Sequence, residues 1–204
     1  MKLYNSMGPN PHIVRMFAAE AQVSLDLQDV DLMGGANRQE DYLKVNPAGQ
    51  LPCLELEDGS RIAEVTAICE YLDEVSSAAS LVGDTPEERA NTRMWTRRVD
   101  LNICEPLTNG FRYAEGLPIF KDRMITIPEA ADGLKSIVRE KLQWLDGLMG
   151  DGREFVAGDK ISMADVLLYC MLAFGAQVGQ PFDESLSNIK PWFDRMAARQ
   201  SASA

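Results

Sequence analysis

The chain has 204 residues, 46% of them hydrophobic, which is enough apolar surface for one domain or two small cored ones and too much for a disordered polymer. With 31 acidic residues against 20 basic ones the formal net charge is −11, so no field gathers nucleic acid or an anionic membrane surface. Cys53, Cys69, Cys104 and Cys170 stand far apart inside apolar patterns and form no C-x-x-C pair, so buried free thiols in a reducing compartment are expected, with no metal site. The chain opens directly on strand-like Lys2-Leu3-Tyr4 without a charged leader, and no run approaches the roughly 18 apolar residues of a membrane span. A cytoplasmic, non-membrane protein is expected.

Up to residue 75 strand and helix signals alternate. A short strand at 2–4 precedes a helix over 11–21, a strand with period-two patterning over 25–32, and a short helix over 39–45. A hairpin follows, 53–56 with 61–63 around the turn Glu57-Asp58-Gly59-Ser60, and then a helix over 64–75. The order β-α-β-α-β-β-α predicts an α/β domain with thioredoxin-like topology over 1–77. Small residues at 76–80 mark a change of composition, and 78–86 is assigned as a linker.

Beyond it the pattern is helical only. Thr85-Pro86-Glu87-Glu88 supplies an N-cap, a proline at the first helical position and two acids in the first turn, launching a long helix through Trp95 and Ile103. Further helices are predicted over 117–124, 128–149, 162–174 and 189–198, giving an all-α domain over 87–204. Ser162-Met163-Ala164-Asp165 has capping-box spacing, and Ile161 can staple onto Val166 across it, which marks a folding device.

Two segments of the first domain suit a ligand. Before Pro52 the tertiary amide cuts the trans preference to about 0.5–1 kcal/mol, so the Leu51-Pro52 bond at the mouth of a strand can be cis. The Leu51 N–H and C=O then face outward, where an extended peptide could pair as an added strand. Downstream, the helix opening at Glu64 offers unbonded N–H groups and a positive dipole end to a carboxylate. Together they read as a clamp for a small acidic peptide.

Three stretches carry a family resemblance: Asn46-Pro47-x-Gly49-x-Leu51-Pro52, Glu64-x-x-Ala67-Ile68-x-x-Tyr71-Leu72 and Gly158-Asp159-x-x-Ser162-x-Ala164-Asp165. In this order and spacing, over essentially the whole chain, they resemble the cytosolic glutathione S-transferases. The resemblance implies a glutathione site in which the Leu51 backbone, ahead of Pro52, pairs with the cysteinyl part and Gln50 reaches the backbone or glycyl end. Glu64 would take the γ-glutamyl ammonium, and Val65 with Thr66 the γ-glutamyl carboxylate. Most members place serine where this chain has Val65, so only the N–H groups of Val65 and Thr66 are left for that contact. Asn37, Arg38 and Gln39 fall around the glycyl carboxylate, and the planar fork of Arg38 can grip it in two places. The family also implies a homodimer, and a second-substrate pocket on the first long helix of the helical domain. Arg98 and Asn102 are the candidates there, while Met94, Trp95 and Phe111 are core by helical spacing.

The family's chemistry is thiol activation, since the thiolate is the nucleophile. Its donor must come from residues 4–11. Gly8-Pro9-Asn10-Pro11-x-x-Val14 resembles the T-P-N-G-x-K-V loop of the nu-class and prion-related branch, whose asparagine contacts the glutathione sulfur. Gly8 and Pro11 depart from that pattern and Asn10 matches it. Asn10 and Ser6 are the catalytic candidates; Tyr4 sits early, inside the strand. Asn10 also reads as a plain N-cap before Pro11, Glu64 as an ordinary first-turn acid, and His12 as a surface or interface residue. The expected activity is transfer of glutathione, as co-substrate, to a small electrophile. The alternatives are glutathione-dependent reduction of a disulfide or peroxide, and a non-catalytic interaction module on the same fold.

Overall fold

A computed structural model describes all residues, Met1–Ala204. The chain forms two compact units, Met1–Val82 together with Gln200–Ala204, and Gly83–Arg199. The last five residues thus belong with the first unit.

The first unit is a four-stranded sheet in the order β2-β1-β3-β4, with β1 at Lys2–Asn5, β2 at Asp26–Asp29, β3 at Cys53–Glu55 and β4 at Arg61–Ala63. β1 runs parallel to β2 and antiparallel to β3, and β3 is antiparallel to β4. Helices α1 (Pro9–Glu20), α2 (Glu40–Leu43) and α3 (Val65–Val75) complete it. Leu3 and Leu54, paired across β1 and β3, are fully buried, as are Ile13, Phe17, Ile68 and Leu72. Tyr4 lies on the opposite face, edge-on to Tyr42 of α2 with ring centroids 6.0 Å apart. Its hydroxyl donates to Glu55 Oε2 (3.0 Å), a carboxylate that Arg61 and Lys2 also hold and keep below its ordinary pKa.

Two elements differ from the sequence reading. β2 is four residues long: Val30 N–H makes the last ladder bond, to Asn5 O, and beyond it Asp31 holds a turn, its carboxylate accepting from Gly34 N–H and its carbonyl from Ala36 N–H. All four β2 residues are exposed, as fits an edge strand. α1 begins two residues early, at Pro9, since Gly8 takes φ +118 as N-cap and Pro9 fits the first helical position as well as Pro11 does.

The second unit contains α4 (Pro86–Val99), α5 (Glu105–Tyr113), α6 (Leu117–Phe120), α7 (Ala131–Met149), α8 (Met163–Gln177) and α9 (Ile189–Ala197). The Thr85 capping box forms: Thr85 Oγ1 accepts from Glu88 N–H, and Glu88 Oε2 accepts from Thr85 N–H, both at 3.2 Å. The predicted long helix is interrupted by a π-helical turn, Asp100–Cys104. Pro106 is the physical cause, because its ring cannot donate to the Asn102 carbonyl and crowds it. Asn102 Nδ2 bonds Arg98 O (2.8 Å) across the break. All four cysteines are free and buried, and no helix is long and apolar enough to cross a membrane.

Asp165 is fully buried and accepts from Ser162 N–H (2.9 Å), Ser162 Oγ (2.7 Å), Val156 N–H (2.8 Å) and Trp192 Nε1 (2.9 Å). Burial pushes its carboxyl above the ordinary range, opposed by these four donors. One carboxylate therefore ties the start of α8 to the preceding loop and to α9. Asp165→Ala strands those donors in the core and should lower unfolding stability by about 3–5 kcal/mol, read from the urea midpoint. Asp165→Asn keeps one acceptor oxygen and should lose roughly half as much.

Candidate functional site

Strand register assembles the site. Leu3 pairs with Leu54 and Tyr4 with Cys53, so continuing the β1–β3 register past the ladder sets Asn5 opposite Pro52 and Ser6 opposite Leu51. Cys53 pairs with Ala63, and the same continuation of β3–β4 sets Pro52 opposite Glu64 and Leu51 opposite Val65. One end of the sheet thus gathers the β1–α1 loop, the approach to β3 and the start of α3. Leu51 precedes the first ladder residue, Cys53, and its backbone lies outside the sheet's bonding. The Leu51-Pro52 bond is cis, as the sequence allows.

The loop ahead of Pro52 is propped by side chains. Tyr42 Oη (2.7 Å) and Asn46 Nδ2 (2.8 Å) both donate to Gln50 O, Asn37 Nδ2 donates to Gly49 O (2.6 Å), and Asn46 Oδ1 accepts from Ala48 N–H (3.1 Å). Gly49 has φ +62, a conformation that favours glycine, and a Cβ there would sit tightly, 3.0 Å from Arg38 Nη1 and 3.1 Å from Asn37 O. Asn37, a sequence candidate for ligand contact, is buried and holds this loop. Arg38, Gln39 and the Gln50 side chain remain at the surface, with Arg38 Nη1 3.4 Å from Ala48 O. Tyr42 and Asn46 received no role from the sequence. Their signal was present, because a buried tyrosine must find a partner for its hydroxyl and an Asn-Pro pair initiates turns. Burial pushes the Tyr42 phenol well up, which keeps it a donor.

At α3 the backbone is unusual. Glu64 is the N-cap with φ +69, an uncommon conformation for a non-glycine residue that costs of order 1–3 kcal/mol and persists where the surroundings impose it. No side chain caps α3 and no acid stands in its first turn. The first helical bond runs from Ile68 N–H to Glu64 O (2.9 Å), so Val65, Thr66 and Ala67 N–H precede it at the positive end of the dipole.

At α1 Asn10 occupies the second helical position, not the N-cap, and is half-exposed. Pro9 and Pro11 bring no N–H, and the first helical bond runs from His12 N–H to Gly8 O (3.4 Å). Asn10 is therefore the residue of the first turn that offers a main-chain donor in addition to its amide. Ser6 is buried, and its hydroxyl donates to Met7 O (3.1 Å). Tyr4 is committed to Glu55. His12 is half-exposed, its Nε2 3.0 Å from Ala202 O, and burial lowers its pKa.

Arg98 and Asn102 lie in the second unit. Arg98 is exposed and stacks over Trp95 at 5.0 Å from the ring centre, while the Asn102 amide is engaged with Arg98 O. Trp95 is buried, as read from helical spacing, whereas Met94 is 40% exposed. No cluster of three or more His, Cys, Asp or Glu side chains is arranged to hold a metal ion.

Comparison with known proteins covers both units. A family model described as the glutathione S-transferase N-terminal domain matches residues 7–75, and one described as the C-terminal domain of that family matches 114–200. Glutathione S-transferase 2 of Saccharomyces cerevisiae is 32% identical over 200 residues, spanning 95% of this chain and 84% of the yeast protein. Human elongation factor 1-gamma is 30% identical over 162 residues, 78% of this chain, and the match spans only 35% of that protein. Among solved structures, a glutathione S-transferase domain-containing protein from Marinobacter aquaeolei superposes with a TM-score of 0.93 at 33% identity, covering 99% of this chain and all of that one. Yeast Gtt2 gives 0.92 at 30% identity, covering 100% and 99% of the two chains.

Asn46→Ala removes a donor to Gln50 O and the acceptor of Ala48 N–H together. It should lower stability by about 1–2 kcal/mol and raise amide exchange over 48–51, with Tyr42→Phe, which leaves Gln50 O one donor, changing less on both measurements.

Proposed function

Since this chain belongs to the glutathione S-transferase family, we propose that it binds glutathione at the end of the sheet where β1, β3 and β4 meet, ionises its thiol, and transfers it to a small electrophile. The observation carrying this reading is the register that brings the end of β1, the cis Leu51-Pro52 bond ahead of β3 and the exit of β4 into α3 to one end of the sheet. The cysteinyl backbone pairs with Leu51 beside Pro52, with Gln50 next to it. The γ-glutamyl carboxylate rests on Val65 and Thr66 N–H, and its ammonium on Glu64. Arg38 takes the glycyl carboxylate, charge against charge at the surface.

The sulfur then lies toward the start of α1. Lowering a thiol of pKa near 8.5 by two units requires about 2.7 kcal/mol of preference for the anion. A hydrogen bond to a charged group contributes roughly 1.5–3 kcal/mol, so one donor with a helix N-terminus suffices. Asn10 and Ser6 are the donors proposed from the sequence. The geometry favours Asn10, because the Ser6 hydroxyl already has Met7 O as its acceptor. The thiolate attacks the electrophile, a carbon–sulfur bond forms, and the leaving group departs with its electron pair. For the second substrate, Arg98 is the candidate whose charged group is exposed.

A second reading, a non-catalytic interaction module, is favoured by the likeness to elongation factor 1-gamma. Glutathione titration separates the two. The transferase reading expects micromolar to low-millimolar binding and a rise in thiolate absorbance that Asn10→Ala reduces about tenfold or more; no binding favours the module. Disulfide reductase activity with little conjugation would assign the reductase variant. Val65→Ser supplies the missing hydroxyl and should tighten glutathione binding about two- to tenfold, measured by calorimetry.

A further inference from the structure

We propose that Arg15 is a positioning residue for the β1–α1 loop, fastening Asn5 at the root of that loop and itself fastened by the turn Gln200–Ala204. Arg15 Nη1 donates to Asn5 Oδ1 (2.5 Å), and Arg15 Nε donates to Ala204 O (3.1 Å). Asn5 is buried; its Nδ2 donates to Asp29 Oδ1 (2.6 Å), and its carbonyl accepts from Val30 N–H (2.8 Å). The end of β1 is therefore tied to the exit of β2 on one side and to the middle of α1 on the other.

The Asn5–Arg15 bond closes a ring around residues 6–14, which contains both catalytic candidates. Without it the loop tip has little to fix it: Met7 is 68% exposed, Gly8 has φ +118, and no atom lies within 4 Å of where a Gly8 Cβ would stand. Ring closure removes the freedom that such a tip retains. The turn Gln200–Ala204 supports the ring along α1, with His12 Nε2–H donating to Ala202 O (3.0 Å), the buried Ser201 hydroxyl donating to Glu20, and Ala204 O receiving Arg15. A guanidinium serves here because its planar fork holds two acceptors in one fixed geometry, which an ammonium on a flexible stem does not. Misplacing a sulfur donor by even an ångström weakens its bond to a developing anion, so the ring bears on thiol ionisation.

The catalytic consequence rests on the glutathione reading above; the positioning itself does not. Amide exchange in the ligand-free 204-residue chain is compared among the native sequence, Arg15→Ala, Arg15→Lys and a deletion of 200–204. Exchange at Val30 and His12, whose N–H groups bond Asn5 O and Gly8 O at the two ends of this loop, should rise about tenfold in Arg15→Ala, less in Arg15→Lys, and about threefold in the deletion, with 48–56 unchanged. With glutathione bound, Arg15→Ala should raise the thiol pKa by about one unit and lower kcat about tenfold while KM moves less than about twofold. Should Arg15→Ala not fold, the deletion carries the test by itself. Unchanged exchange at Val30 and His12 in the folded variants overturns the positioning role whether or not glutathione binds. A native protein that fails to bind glutathione strikes the functional reading instead.

Discussion

Pairing of β3 with both β1 and β4 is the constraint on which the rest depends. A strand has period two, so slipping either pairing by one residue would turn Leu3 or Leu54 to the wrong face and expose the core of the first unit. The burial of those two leucines therefore fixes the register, and the register fixes which backbone segments leave the sheet side by side. Ser6, Leu51 and Val65 are 45 and 14 positions apart along the chain. Hydrophobic burial brings the segments that carry them to one end of the sheet, although none of the three takes part in the ladder. The same interaction that stabilises the fold thereby sets the geometry of the proposed site.

Around that frame, side chains make a loop behave like part of a sheet. Residues 46–50 have no ladder partners, yet three of their main-chain groups are satisfied by Asn37, Tyr42 and Asn46. Each such bond contributes about 1 kcal/mol, and each removes a direction in which Gln50 and Leu51 could turn. The β1–α1 loop is governed in the same way by Asn5 and Arg15, with the bond made to the root of the loop and not to its tip. Both cases place polar side chains behind the candidate contacts, where they orient backbone that a ligand would meet.

Much of this was legible in the sequence, and the parts that were not share a cause. The thioredoxin-like order, the Thr85 cap and the buried Ser162/Asp165 pair follow from local patterns a few residues long, and the structure has them all. The start of α1 was placed late because two prolines, Pro9 and Pro11, compete for the first helical position, and only the backbone of Gly8 decides between them. The break at Asp100–Cys104 was missed although Pro106 announces it, because the apolar periodicity on either side continues through. Tyr42 and Asn46 carry a signal that a partner exists but not which one, and Arg15 carries none. Their acceptors are main-chain or side-chain oxygens reached only after the chain has folded, from as far as Arg15 to Ala204.

The electrostatics of the two helix starts differ, and the difference bears on what each can hold. α3 has three consecutive N–H groups ahead of its first helical bond, with no side-chain cap and no acid inside its first turn, so a carboxylate there would gain from several weak donors and from the dipole together. In the proposed site the hydroxyl that Val65 does not supply would be one donor among several. α1 is the opposite case. Two prolines strip its first turn of all main-chain donors but that of Asn10, so whatever anion it stabilises depends on one residue's N–H and amide. In the proposed site the two ends would differ in how many donors they offer, which matches the chemistry asked of each. Holding the peptide requires only summed affinity, whereas ionising its sulfur requires a particular donor at a particular place.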